Sequence, residues 1–257
     1  MAAATYRARV IVLRKTKLGE SDLILTMLAE DGSQIRAVAK GARKPTSQFA
    51  SRLELYSIAE VLMAGGRSLD IIKEARLVSG FARVRTSMEH AAGASCMAEL
   101  LDRVTQLGLE NRRLFDLTRA ALIHLDRAEL GDVLPLVAAD LLKAMAFAGF
   151  KPNLASCVCC GKEIDLAQTG NTVFVSYPEG GAICVACASS HETVRLRSEV
   201  CAWANALIVS TFDQIEAFDI DLATSFSVLQ FCQSWIREHV GANLKSLQFL
   251  FTSGLFE

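Results

Sequence analysis

Four of the eight cysteines in this 257-residue chain fall into two Cys-x-x-Cys steps, Cys157-Val-Cys-Cys160 and Cys184-Val-Ala-Cys187. Each step lets both of its sulfurs face one point, so two steps can close a tetrahedron of thiolates around one Zn²⁺. Gly161 follows the first step and permits the tight turn that aims backbone N–H groups at sulfur. Between the steps, Gly170, Asn171 and Tyr177-Pro178 read as loop. The spacing predicts structural zinc on Cys157, Cys160, Cys184 and Cys187. Cys159 lies inside the cluster and leaves open an exchange with Cys157 or Cys160. A lone Cys-x-x-Cys can also be a redox pair, but two at ribbon spacing favour metal. Zinc deaminase chemistry needs a His-x-Glu step upstream of Pro-Cys-x-x-Cys, whereas His191-Glu192 follow the second pair and no proline precedes either. Cys96, Cys201 and Cys232 sit at helical spacing among apolar residues and read as core.

A second set of residues could grip phosphate. Lys40-Gly-Ala-Arg43-Lys44-Pro45 gathers three cations in a segment whose glycine and proline discourage regular structure, with Ser47, Gln48 and Arg52 following as further donors. Arg14, Lys15 and Lys17 come together near the end of the first apolar run, and Arg67 occupies a Gly-Gly-Arg-Ser turn. A barrel could bring these onto one flank. Tyr6, Phe49 and Tyr56 are the aromatic residues available nearby for base stacking, so contacts with the phosphate backbone are expected to dominate.

Charge distribution agrees. The formal net charge is −1, but residues 1–80 hold thirteen Lys or Arg against eight acids, a balance of +5 that leaves −6 on the remainder. A pI near 6.4 therefore does not argue against a nucleic-acid face gathered on one domain. With 51% hydrophobic and 21% charged residues the chain can build a sizeable core. The most apolar helical stretch, 133–150, carries Asp140 and Lys143 and suits a buried helix better than a membrane span. Arg7 and Arg9 interrupt the opening, and no apolar signal segment follows. A reducing, cytoplasmic compartment without disulfides is expected.

The elements that must position these groups change character along the chain. Strand periodicity marks 6–14, 23–28, 34–39, 53–63 and 69–78, with Asp31-Gly32 as a hairpin turn. Five short strands with a long basic connection between the third and fourth suit an OB-type barrel, with an SH3-like barrel as the competing topology. From Ser87 the period becomes helical: Met97, Leu100, Leu101, Val104 and Leu107 form one stripe, and Leu114, Leu117, Ala121 and Leu125 the next. A more apolar helix follows and stops before Lys151-Pro152. Helical spacing resumes at Trp203, Ala206 and Leu207, and again from Phe226 to Ile236. The expected organisation is an OB domain at 1–80, an α-helical domain at 81–152 and 192–257, and a zinc module at 153–191 inserted in it.

This order resembles the RecO family of bacterial recombination mediators. Local matches are Leu18-Gly-Glu-Ser-Asp22, Lys40-Gly-Ala-Arg-Lys-Pro45 and Leu244-Lys-Ser-Leu-Gln-Phe249. The resemblance implies binding of single- and double-stranded DNA and strand annealing. It implies interaction with the single-strand-binding protein SSB and with RecR, and indirect help to RecA on gapped DNA. It also implies a cytoplasmic, nucleoid-associated location, Arg43, Lys44 and Arg52 as DNA contacts, and the four cysteines as zinc ligands. Leu247-Gln248 stand where the family form is more basic.

Two other classes fit less well. A zinc-ribbon DNA-binding regulatory protein would place cations near the cysteines, yet Lys162 is the only one between Cys157 and Cys187. A nucleotide-driven enzyme would need a phosphate-cradling Gly-x-x-x-x-Gly-Lys step, and a hydrolase convergent acids or histidines. Asp219-Ile-Asp221 is the best acidic pair and better suits the start of a helix. His90, His124, His191 and His239 have no metal-pair spacing. No catalytic residue is expected.

Overall fold

The computed structural model describes residues 4–166 and 172–256. Gly170 and Asn171 lie outside them. Two compact units divide the chain, at 1–126 and 127–257.

The first unit begins with β1 (Thr5–Leu18), β2 (Asp22–Ala29), β3 (Gln34–Ala39), β4 (Ile58–Ala64) and β5 (Asp70–Ser79). They close in the order β1-β2-β3-β5-β4, with β4 returning to β1. Every pairing is antiparallel except β3 with β5, which meet through Ala37–Asp70 and Val38–Ile71. This is the OB order rather than the SH3-like one. The interior is lined by Val10, Val12, Leu25, Met27, Ala37, Ala39, Ala59, Val61, Met63, Ile72 and Ala75. A register shift between Val12 and Arg14 bends β1, so one long strand can pair with both β2 and β4. Ile11 and Leu13, which would face water in an isolated barrel, are buried on the side where α2 (Met88–Val104) packs.

Residues 53–57 are not strand, contrary to the periodicity. Leu53 and Phe49 turn into the barrel interior with Ala42, so the basic connection between β3 and β4 plugs the barrel. Tyr56 has φ +68, which ends any extended run there, and its hydroxyl meets Ser95 Oγ at 2.7 Å. Gly32, at φ +86, makes the β2–β3 turn. A Cβ at that position would fall 1.9 Å from the Asn111 carbonyl oxygen, so only glycine lets the turn seat beside the segment between α2 and the third helix.

The short α1 (Ala82–Thr86) precedes α2, and α3 (Arg112–Arg127) follows it. Ser87 caps α2, its Oγ accepting from His90 N–H. The predicted stripe holds through Leu101, but Leu107 lies beyond the helix end and is exposed.

The second unit is built around α4 (Leu130–Phe147), which α6 (Ser198–Val209), α7 (Phe212–Ile215) and α8 (Leu222–Val240) pack against. Between α4 and α6 come β6 (Thr172–Ser176), β7 (Gly181–Ile183), the single turn α5 (Val185–Ala188) and β8 (Val194–Arg197). The three strands form a sheet in the order β7-β6-β8. Helix α9 (Lys245–Thr252) ends the unit. Cys201 and Cys232 are buried here, as Cys96 is in the first unit. Asp221 caps α8, its Oδ1 accepting from Thr224 N–H at 2.9 Å, which gives the best acidic pair of the sequence a helix-starting role. Among the described residues no helix is long and apolar enough to cross a membrane.

Candidate nucleic-acid interface and metal centre

The connection of residues 40–57 is basic outside and apolar inside. Ala42, Phe49 and Leu53 anchor it in the barrel, while Lys40, Arg43, Lys44 and Arg52 stay exposed. A chain segment held at three buried points keeps its charges in place, whereas a free loop would spend binding energy ordering them.

Each predicted contact has a distinct setting. Arg43 donates through Nη1 to the carbonyl oxygens of Gly19 and Glu20 at 3.1 and 2.8 Å, which seats it on the β1–β2 turn. Arg52 donates to Ala75 O of β5 at 3.1 Å. Lys15 pairs with Glu54 at 2.8 Å, binding the connection to β1. Arg14 pairs with Asp102 of α2 at 3.0 Å. Lys17, Lys40, Lys44 and Arg67 are exposed, and among the described residues none of the four forms an ion pair within 4 Å. The structure thus gathers Lys17, Lys40, Arg43 and Lys44 around the β1–β2 turn. Arg67 stands elsewhere, beside the start of β1, where Gly65 N–H donates to Ala4 O.

A second face of the barrel is electrically closed. Glu60 lies between Arg76 and Arg9, at 2.7 and 3.1 Å, and their hydrogen bonds hold its carboxyl below the usual range. Arg9 also reaches Glu30 at 3.5 Å. Tyr6 donates to Asp70. None of the three aromatic residues offers a free stacking face beside the basic connection, because Phe49 is buried, Tyr56 is half-buried and Tyr6 lies at the start of β1.

The sequence places Asp22 only at the end of a family match and gives it no role, yet it sits within the basic cluster. Its carboxyl is held below the ordinary range, first by the Gly41 N–H, then by the Ser21 hydroxyl, with Lys40 and Lys44 adding to the effect.

In the second unit the two cysteine steps converge. The sulfurs of Cys157, Cys160, Cys184 and Cys187 all lie within 4.8 Å of one another. Sulfurs bound about 2.3 Å from a shared zinc stand about 3.8 Å apart, and those of Cys160 and Cys184 are 3.7 Å apart. The first knuckle is a tight turn, with Gly161 N–H donating to Cys157 O at 2.9 Å and Gly161 at φ +74. Burial works against a Cys157 thiolate, but the backbone N–H groups of Cys184, Cys160 and Cys159 outweigh it and bring the thiol down to about 6. Cys187, sharing protons with its neighbours, is pushed up to about 12. Four converging sulfurs, with backbone N–H donors aimed at those of Cys157 and Cys184 and no disulfide among them, fit a closed tetrahedral site with no open position for chemistry.

Cys159 is not one of the four converging sulfurs, although its thiol neighbours Cys157. Its sulfur meets His191 Nε2 at 3.3 Å, and His191 Nδ1 lies 3.4 Å from Glu179 Oε1. The module is tied to the helices by Tyr177, whose ring centroid lies 6.0 Å from that of Phe231 and 6.1 Å from that of Trp235. Trp235 in turn donates to Phe150 O at 2.8 Å.

An OB barrel with an anchored basic connection, joined in one chain to a helical body whose four cysteine sulfurs are placed to hold a metal, defines the class of the protein. The sequence comparisons give the class its family. Residues 1–81 match the family described as recombination protein O N terminal, and residues 85–248 match recombination protein O C terminal. The chain belongs to the RecO family. It is 34% identical over 182 residues to a DNA repair protein RecO of Desulfitobacterium hafniense, covering 71% of this chain and 64% of that relative. It is 30% identical over 250 residues to DNA repair protein RecO of Bifidobacterium longum, covering 95% of this chain and 98% of that protein. With the RecO protein of Bifidobacterium animalis it shares 33% identity over 244 residues, covering 91% and 92%.

Proposed function

We propose that this chain is a DNA-binding mediator of recombinational repair. It binds single- and double-stranded DNA, anneals complementary single strands and, with RecR and SSB, helps RecA load on gapped DNA in the reducing cytoplasm. The observation that carries this reading is the set of exposed cations around the β1–β2 turn, Lys17, Lys40, Arg43 and Lys44, on a connection anchored in the barrel, while the Glu60 face is neutralised.

Two complementary strands repel through their phosphates. A protein that neutralises several phosphates on each lowers that cost, provided the base edges stay free to pair. Backbone contacts serve this purpose and stacking clamps would oppose it, in keeping with the placement of Tyr6, Phe49 and Tyr56. Lys17, Lys40 and Lys44 are assigned to phosphate, together with the part of the Arg43 guanidinium not held by the turn. Arg14, Lys15 and Arg52 have folded partners and contribute mainly by holding their segments, while Arg67 would extend the path toward the start of β1. Zinc on Cys157, Cys160, Cys184 and Cys187 braces the module of residues 153–191. No step of the reaction needs a nucleophile or nucleotide hydrolysis.

The test is a double substitution, Lys40→Ala with Lys44→Ala, in the whole chain. Affinity should fall for unrelated sequences alike, and the slope of log affinity against log salt should shrink by about 1 to 2, since each phosphate contact contributes about 0.7 to 0.9. Annealing of SSB-coated complementary oligonucleotides, without nucleotide, should slow in parallel. An unchanged salt slope would remove this loop from the interface.

A further inference from the structure

Two neighbouring turns share one hydrogen-bond network. Asp22 opens β2, and its Oδ1 accepts from Gly41 N–H at 2.7 Å and from Ser21 Oγ at 3.0 Å. In the reverse direction, Arg43 N–H donates to Ser21 O at 2.9 Å, and the Arg43 guanidinium donates to the Gly19 and Glu20 carbonyls. The geometry points to Asp22 as a positioning residue for DNA binding: its carboxylate, acting with Arg43, latches the basic connection to the β1–β2 turn and so sets Lys40 and Lys44 along one phosphate-binding edge.

This inference rests on the reading of that loop as the phosphate contact. It answers a question the reading raises, namely why a carboxylate should sit among cations meant for a polyanion. By charge alone Asp22 is a liability, because it repels phosphate and offsets a neighbouring ammonium. Its oxygen, however, fixes Gly41 at φ +66, between Lys40 and the Ala42 anchor. The same charge lies close enough to Lys40 and Lys44 for both to favour its ionised form.

The two roles predict opposite signs. If Asp22 acts only through charge, removing it tightens DNA binding. If it is a latch, Asp22→Ala weakens binding despite the gain in positive charge. Asp22→Asn keeps an oxygen facing Gly41 N–H and loses only the charge, so it binds as well as the native chain or better. In the full-length protein, measured with a labelled oligothymidine across a salt series, Asp22→Ala should bind about three- to tenfold more weakly, the loss expected when two long side chains must be ordered on binding. Its salt slope should be shallower, and the slope of Asp22→Asn unchanged. Arg43→Lys keeps the charge but loses the planar fork on two carbonyls, and it should weaken binding at an unchanged formal charge. Trypsin supplies a reading without DNA: cleavage after Lys40 and Arg43 should quicken in Asp22→Ala and stay native in Asp22→Asn.

Equal or tighter binding by a folded Asp22→Ala overturns the latch, as does identical behaviour of the Ala and Asn variants. Should Asp22→Ala not fold, Arg43→Lys decides, and native affinity in that variant overturns the latch. Failure of the underlying reading looks different, because Lys40→Ala with Lys44→Ala would then leave affinity unchanged even where Asp22→Ala speeds the trypsin cut. That pattern would also overturn the proposal.

Discussion

Asp140 lies in the middle of α4 with no solvent exposure, and neither of its carboxylate oxygens has a hydrogen-bond partner among the described residues. Burial pushes its carboxyl up to about 7, with Lys143 acting in the opposite sense. Lys143 spends its donors elsewhere, on the Ile208 and Ser210 carbonyls at 2.7 and 2.6 Å, where it closes the end of α6. The folded chain holds the Asp140 proton to higher pH than the unfolded chain, so this group's contribution to stability is lost as pH rises from about 4 to about 7. Asp140→Asn should therefore raise stability by on the order of 2 kcal/mol more at pH 8 than at pH 5, read from paired thermal melts. Asp221 works the other way. Its carboxyl is held below the usual range by the Thr224 hydroxyl and N–H, so its contribution disappears as pH falls through that lowered value. At residue scale the four thiolates were legible because ligand chemistry repeats at short spacing. Asp22 and His191 were not, since their partners lie 19 and 32 residues away and only the fold brings them near.

The barrel strands could be read from alternation because one face of each must be apolar. The exception is instructive: Leu53 is as apolar as a strand residue, yet it fills the barrel end from a turn, and periodicity cannot distinguish the two forms of burial. The β7-β6-β8 sheet was hidden too, since its strands are three to five residues long and sit among the cysteine-bearing turns. Two element-level outcomes follow from the geometry. Gly32→Ala should cost about 2 kcal/mol or more in a denaturant melt, because the turn and the Asn111 carbonyl cannot both keep their places. Cys160→Ser should lower the metal content of the purified chain and its melting temperature, as the tetrahedron loses a thiolate.

For the whole molecule, charge asymmetry was visible in composition, and the structure puts the basic end on one unit and the sulfur centre on the other. That separation sets an expectation for metal removal. A strong chelator should destabilise the unit of residues 127–257 while oligonucleotide binding at fixed salt stays within about twofold, measured by fluorescence anisotropy alongside limited proteolysis. What composition and pattern could not supply was the partition itself, since α1 to α3 continue the helical period of the later helices yet group with the barrel.

Trp235 is fully buried, with the ring of Tyr177 from the sulfur-bearing module near one side and His239 4.4 Å away between centroids. The chain's other indole, Trp203, rests beside Phe218. Trp235 is therefore placed to report optically on a metal held by the four sulfurs. In a Trp203→Phe background, stripping the ion should shift emission to the red as water reaches the remaining indole, and adding zinc back should restore it.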